Sequence, residues 1–146
     1  MKQEFNPKNK DLLININGEL IHRDKAGISP FDSAVQGGDA VWEGLRLYQG
    51  RIFKLTEHLD RLRHSALAMA FTKIPSHEEI IAEISKTLEA NNMTDGVHIR
   101  LTLSRGLKYT SGMDPRLNTF GPTLIVLAEH KAPVYNKGGI KMMTSG

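Results

Sequence analysis

The sequence predicts an α+β fold, in which an antiparallel-rich sheet is covered on one face by two helices. Three observations support this prediction. Two short turns, Asn17-Gly18 and Gln49-Gly50, each join two β-prone stretches. Two amphipathic stretches follow the second turn, and two further apolar stretches with strand character complete the pattern.

The two turns predict two β-hairpins. The first spans residues 12–23 around Asn17-Gly18, and Asn-Gly is the strongest short hairpin signal because a type I′ turn needs positive φ at both central residues. The second joins residues 40–48 to residues 51–55.

Two helices are expected next, over residues 56–66 and 74–92. The first has Thr56 as its predicted N-cap. Its apolar stripe lies beside a second stripe formed by His58, Arg61 and Ser65, at spacings that share a helix face. The second helix begins with a capping box, Ser76 and Glu79.

The remaining organisation follows from composition. Residues 97–104 and 123–129 predict strands, joined by a loop of about 18 residues, a length that in compact domains is usually functional or disordered. We expect a flexible segment over 1–11, a small α+β domain over 12–130, and over 131–146 a linker and the start of a further, large domain.

Composition excludes several classes of function. The net charge of +3 is small and dispersed, which argues against nucleic-acid binding. Cysteine is absent, so disulfides and thiolate metal sites are excluded, and the six histidines lack metal-site spacing. No apolar stretch is long enough to cross a membrane. We expect a cytoplasmic protein without a metal, a nucleic-acid partner or a membrane contact.

Strand alternation places several candidate site residues on one face. Trp42, Gly44 and Arg46 share a face of the strand over 40–48, and His98 and Arg100 share the polar face of the strand over 97–104. If the strands are neighbours, the two arginines can converge on one carboxylate. The plain alternatives are solvated arginines and, for Arg61, a surface partner of Glu57.

Three segments together resemble one family. They are "NGE" near the start, "GDAVWEGLRLYQGRIFKLTEHLDRLRHSA" (38–66) and "GVHIRLTLSRG" (96–106). They resemble the class IV, fold type IV, pyridoxal-phosphate aminotransferases. The run "VWEGLRLY" is most similar to branched-chain amino-acid aminotransferases, whereas "QGGD" is more similar to the D-amino-acid aminotransferase branch.

The resemblance implies a role for each candidate residue. Arg61, in the E-H-x-x-R-L segment, is the expected ligand of the cofactor phosphate. The expected substrate-site residues are Trp42, Gly44, Arg46, His98, Arg100 and Tyr135, with His98 where branched-chain enzymes carry a tyrosine. The Schiff-base lysine of the family lies in the large domain, beyond residue 146, so no catalytic residue is expected here; Lys137 and Lys141 do not match its motif.

The hypothesis is therefore an aminotransferase that moves an amino group between a branched-chain amino acid and 2-oxoglutarate through pyridoxal 5'-phosphate. By resemblance it is a homodimer, and this chain alone is expected to be inactive. Three alternatives stay open. They are a D-amino-acid aminotransferase or aminodeoxychorismate-lyase-like enzyme, an inactive remnant that serves as a binding or dimerisation module, and a structural domain without a ligand.

Overall fold

The structure is a computed structural model that describes residues 4–134, 138–139 and 141–144. Its strands are β1 (Leu13–Ile16), β2 (Glu19–His22), β3 (Ala40–Tyr48), β4 (Arg51–Ile52), β5 (Val97–Ser104) and β6 (Thr123–His130). They form a six-stranded sheet in the order β2-β1-β6-β5-β3-β4, and every neighbouring pair is antiparallel. The predicted α+β class with an antiparallel sheet is confirmed.

Both predicted hairpin turns are present. Asn17 and Gly18 have φ values of 51° and 86°, and Gln49 and Gly50 have φ values of 46° and 76°. Positive φ at both central residues is the requirement of a type I′ turn. The second hairpin is shorter than predicted, because β4 ends at Ile52 and the predicted strand over 51–55 is wrong beyond that residue.

The helices are α1 (Ser33–Gly37), α2 (Leu55–Ala68) and α3 (His77–Ala90), and single 3₁₀ turns lie at Pro7–Asn9 and Pro115–Leu117. Helix α1 is not among the predicted elements, since five residues are too few to show helical periodicity. Its signals are local ones: the Asp32 side chain accepts a hydrogen bond from the Ala34 amide, and Gly38 ends it with a left-handed φ of 67°.

The two long helices begin differently. The Thr56 cap is wrong: α2 starts at Leu55, after Lys54 at a φ of 49°, and no side chain caps it. The capping box of α3 is confirmed, because Ser76 Oγ accepts from the Glu79 amide at 3.2 Å and the Glu79 carboxylate accepts from the Ser76 amide at 2.7 Å.

Helices α2 and α3 pack on the same face of the sheet, and the core lies between them. Helix α2 contacts β3, and α3 contacts β1 and β6. The fully buried core side chains come from both layers: Leu45, Ile99, Leu101, Leu103, Val97 and Val126 from the strands, and Leu59, Leu62, Ile80 and Ile84 from the helices. Alternate residues of β3 and β5 therefore point into this core, and the others point to the side of the sheet opposite α2 and α3.

The segment before β1 is anchored to the sheet at one residue. Asn9 is buried; its side-chain amide donates to the His130 carbonyl at 3.0 Å, and its oxygen accepts from the His130 amide at 2.8 Å. The segment predicted to be flexible thus has a fixed point at the end of β6.

Buried polar contacts hold the long 105–122 connection onto α1. Asp32 accepts a hydrogen bond from Thr123 Oγ1 at 2.7 Å, and Ser33 donates to the Gly106 carbonyl at 3.0 Å. Asn118 donates to Ser33 Oγ at 2.7 Å. The connection is therefore ordered by specific partners, although the apolar pattern of the sequence gives no sign of it.

Gly106 allows the two ends of this connection to lie against each other. A Cβ at Gly106 would lie 1.7 Å from the Gly121 carbonyl oxygen, and the φ of Gly106 is +101°.

We expect Gly106→Ala to cost more than about 4 kcal/mol of unfolding free energy. Gly121→Ala is the matched control: Gly121 also has positive φ but meets nothing within 4 Å, so about 1–2 kcal/mol is expected. Urea unfolding of both variants measures this, and equal costs would contradict the prediction.

Candidate functional site

The face of the sheet opposite α2 and α3 carries most of the predicted site residues. In the β3–β5 register, Gly44 lies opposite Arg100 and Arg46 lies opposite His98. Trp42 is two residues from Gly44 on the same strand and therefore on the same side. The structure thus brings these five residues together on one side, which we call the open face.

Trp42 and Arg100 form a stacked pair on the open face. The Arg100 guanidinium carbon lies 3.4 Å from the centroid of the Trp42 ring, and the tryptophan is 56% exposed. A guanidinium over an indole is held by cation–π attraction and retains donors at its edge. The stack therefore fixes the plane of the Arg100 guanidinium while leaving its edge available to a ligand.

Arg46 is held by other partners. Its Nη1 donates to the Lys131 carbonyl at 2.6 Å and its Nε donates to the Tyr48 hydroxyl at 3.3 Å. A cleft of about 370 Å³ lies beside it, lined also by His98 and Pro133. The expected convergence of the two arginines is therefore only partial, because they share a face but point to separate partners.

Gly44 forms the floor between these side chains. A Cβ built at Gly44 would lie 3.3 Å from His98 Nε2 and 4.0 Å from the Trp42 ring. Any side chain there would fill the space that Trp42, His98 and Arg100 surround. The residue without a side chain thus keeps the open face accessible at its centre.

His98 is expected to be neutral on this face. Burial lowers the pKa of its imidazole, and the nearby cations Lys131 and Arg46 lower the pKa further, while Glu129 partly opposes them. A neutral imidazole adds no charge, so the positive charge of the open face comes from arginine and lysine.

Arg61 lies on the other side of β3. Its Nε donates to Glu43 Oε1 at 2.6 Å, and its Nη2 donates to Glu43 Oε2 at 2.5 Å. Glu43 is only 4% exposed, whereas the Arg61 side chain is 67% exposed. The alternative of an Arg61–Glu57 surface pair is wrong, because Glu57 pairs with Lys54 at 3.2 Å.

His58 completes a three-residue cluster with Glu43 and Arg61. Its Nδ1 lies 2.8 Å from Glu43 Oε2, and because a carboxylate only accepts, Nδ1 must carry the hydrogen. Burial raises the pKa of Glu43, but the hydrogen bonds from Arg61 and His58 outweigh it, and the net pKa is lowered. Glu43 is therefore ionised at neutral pH.

Strand alternation places Glu43 on the opposite face of β3 from Trp42, Gly44 and Arg46, but the sequence predicts no role for it. The available signal was a carboxylate among apolar residues that point inward, since a buried glutamate needs a partner. Tyr135, the last predicted site residue, lies outside the described residues.

The cluster and the open face lie on opposite sides of β3. Strand β4 pairs with β3 only at Leu47 and Tyr48, so among the described residues no strand covers the edge over 40–45. Glu43, which holds Arg61, lies between Trp42 and Gly44 in sequence, and its side chain points to the helix side. Arg61 and the residues of the open face therefore lie on opposite sides of β3.

The family model for class IV amino-transferases matches residues 40–144. Branched-chain-amino-acid aminotransferase-like protein 2 of Arabidopsis thaliana is 56% identical over 140 residues, which are 95% of this chain and 25% of that protein. The chain belongs to the class IV aminotransferase family. A putative branched-chain-amino-acid aminotransferase of Methanocaldococcus jannaschii is 37% identical over 90% of this chain and 44% of that protein.

Other members of the family are similar over less of the chain. D-alanine aminotransferase of Listeria monocytogenes is 36% identical over 64% of this chain and 32% of that protein. A structure of the T.th. branched-chain amino acid aminotransferase complexed with N-(5'-phosphopyridoxyl)-L-glutamate matches with a TM-score of 0.70 and 28% identity, over 82% of this chain and 40% of that one. This chain thus spans less than half the length of these relatives, and its fold is that of their small N-terminal domain.

The described residues contain neither a membrane-spanning helix nor a cluster of metal-binding side chains. None of their helices is long and apolar enough to span a membrane. No group of three or more histidine, aspartate or glutamate side chains among them is placed to hold a metal ion.

The stacked pair on the open face can be tested by fluorescence, because Trp42 is the only tryptophan in the sequence. We expect Arg100→Ala to shift the emission to longer wavelength, since the ring loses its guanidinium cover and gains water contact. The matched control is Arg23→Ala, which removes a guanidinium over Phe5 instead. An unchanged spectrum in Arg100→Ala would contradict the stack.

The lowered pKa of Glu43 predicts a pH dependence of stability. A carboxyl with a lowered pKa stabilises the fold above its ordinary value of 4.5, and this contribution is lost as pH falls through the lowered pKa. Glu43→Gln should therefore destabilise the protein at neutral pH and make its acid unfolding shallower below about pH 4.5. Urea unfolding across this range is the measurement, and a variant that parallels the parent at every pH would refute it.

Proposed function

We propose that this chain supplies the cofactor-phosphate ligand and one wall of the substrate pocket in a pyridoxal-phosphate-dependent aminotransferase. The substrates we propose are a branched-chain L-amino acid and 2-oxoglutarate. The observation that carries the proposal is 56% identity over 95% of the chain to a branched-chain-amino-acid aminotransferase-like protein. The matched structure that contains a phosphopyridoxyl-glutamate ligand supports the choice of cofactor.

Arg61 fits the phosphate of this cofactor. Glu43 engages its Nε and Nη2, and Nη1 makes no hydrogen bond to any other described residue. The Arg61 side chain is largely exposed. A phosphate oxygen can therefore accept a charge-assisted hydrogen bond from Nη1 without displacing Glu43.

The open face fits a small amino acid. The edge of the Arg100 guanidinium is suited to a carboxylate, and the Trp42 ring offers an apolar wall beside it. Gly44 leaves room for the substrate backbone, and neutral His98 offers a hydrogen-bonding group without a charge. Arg46 stabilises the neighbouring cleft through the Lys131 carbonyl, and we propose that it attracts the second carboxylate of 2-oxoglutarate.

The chemistry itself depends on the cofactor. When bound, pyridoxal phosphate supplies the carbonyl that takes up the substrate's amino group and a ring that withdraws electrons from it. This chain's residues bind and orient; we assign no proton-transferring lysine among them. Lys141 is exposed, and Lys137 lies outside the described residues.

A homodimer is part of the proposal. Trp42 and Tyr48 are exposed on the open face, and large exposed aromatic surfaces usually mark an interaction site. Light scattering of the complete protein tests this, and a monomer would contradict it.

The central test is amino transfer by the complete protein with pyridoxal phosphate and 2-oxoglutarate. We expect turnover of L-leucine and L-isoleucine, and a loss of about tenfold or more in pyridoxal-phosphate affinity in Arg61→Ala. Arg63→Ala is the control, because Arg63 is an exposed arginine on the same helix. Absence of transamination, with cofactor binding intact, would overturn the enzymatic proposal in favour of a binding module.

The same assay separates the second candidate, a D-amino-acid aminotransferase. The similarity to D-alanine aminotransferase of Listeria monocytogenes favours including it. Turnover of D-alanine in preference to L-leucine would replace the branched-chain assignment, while the roles proposed for Arg61 and the open face would stand.

A further inference from the structure

Glu43 points to the core side of β3, and its two oxygens receive three hydrogen bonds. Two of the donors belong to Arg61 and the third to His58. Burying a carboxylate costs free energy unless it is paired. A buried glutamate held by an exposed arginine on the next helix therefore needs an explanation beyond packing.

We propose that Glu43 is a positioning residue for the cofactor phosphate, acting through Arg61. This inference rests on the proposed phosphate role of Arg61. The buried carboxylate holds the guanidinium by Nε and Nη2 and thereby fixes the direction in which Nη1 points.

The geometry supports positioning because the two partners differ in mobility. An exposed arginine on a helix samples many rotamers, and ordering it on ligand binding costs affinity. Glu43 lies on β3, which pairs with β5 along eight residues, so its backbone is held by the sheet. A two-point fork on a rigid strand restricts Arg61 before any ligand arrives.

His58 holds Glu43 in turn. Its Nδ1–H donates to Oε2, the oxygen that Arg61 Nη2 also contacts. The side chain is 20% exposed, so the imidazole is packed against the cluster. It therefore limits rotation of the carboxylate about its last bond and keeps both oxygens aimed at the guanidinium.

Electrostatics alone predicts the opposite effect. The negative charge of Glu43 offsets the positive charge of Arg61, so removing it would strengthen the attraction of a phosphate dianion if positioning did not matter. The sign of the change in affinity thus separates the two effects.

The test measures the affinity of the complete protein for pyridoxal 5'-phosphate and for pyridoxal, which lacks the phosphate. We expect Glu43→Gln to weaken pyridoxal-phosphate binding about tenfold or more, the size typical when a group that orients a ligand-holding side chain is lost. The affinity for pyridoxal should be unchanged. Unchanged pyridoxal binding also shows that the variant is folded. Glu57→Gln is the matched control, because Glu57 lies on α2, the helix that carries Arg61, but pairs with Lys54 instead of Arg61.

Two further variants distinguish positioning from general structure. Glu43→Asp keeps the charge but withdraws the carboxylate by one carbon, so it should also lose selectivity for the phosphorylated ligand. His58→Asn keeps a nitrogen donor near the position of Nδ1 and should retain selectivity, whereas His58→Ala should lose part of it.

The outcomes separate this inference from the proposed function. If Arg61→Ala loses phosphate selectivity and Glu43→Gln keeps it or gains it, the positioning role is overturned and the role of Arg61 stands. If Arg61→Ala keeps selectivity, the phosphate role of Arg61 is overturned, and the positioning role of Glu43 with it.

Discussion

The pairing of β3 with β5 is the constraint on which the rest of the molecule depends. Eight residues of β3, from Ala40 to Leu47, lie in register with β5. Because successive side chains alternate between the two faces of a strand, this register sends Leu45 and Leu47 into the core and Trp42, Gly44 and Arg46 to the open face. A slip of one residue would bury Arg46 and expose Leu45, so the core and the candidate site are fixed by one interaction.

The short length of β4 leaves most of one edge of β3 unpaired. The Arg46 carbonyl oxygen accepts a hydrogen bond from the Phe53 amide at 3.0 Å, which shows that the peptide groups of the even-numbered residues of β3 point toward the β4 side. From Arg46 towards the start of β3, over residues 40–45, no strand among the described residues pairs with that edge. The peptide groups of Gly44 and Trp42 therefore face this unpaired edge, and Arg61 lies on the helix side of the same strand.

Periodicity explains why much of this was predictable and some of it was not. The two hairpin turns, α3 with its capping box and the division of β3 and β5 into two faces follow from local signals that tertiary contacts do not override. Helix α1 was missed because its signals are a single cap and a glycine. The Thr56 cap failed because the chain turns into α2 through Lys54 in a left-handed conformation, which the side-chain pattern does not show.

The sequence predicts which residues belong to the candidate site, but it does not predict which side chains pair with one another. Alternation grouped Trp42, Gly44 and Arg46, yet the partner of Arg61 lies 18 residues away in sequence on another element, and no local rule joins them. What the sequence does offer is an anomaly, a glutamate at an inward position among Val41, Leu45 and Leu47. Such a charge requires a cation within reach, and α2 is the element that packs on β3. A buried carboxylate of this kind therefore indicates an exposed cationic partner, and that partner is the group that can contact a ligand.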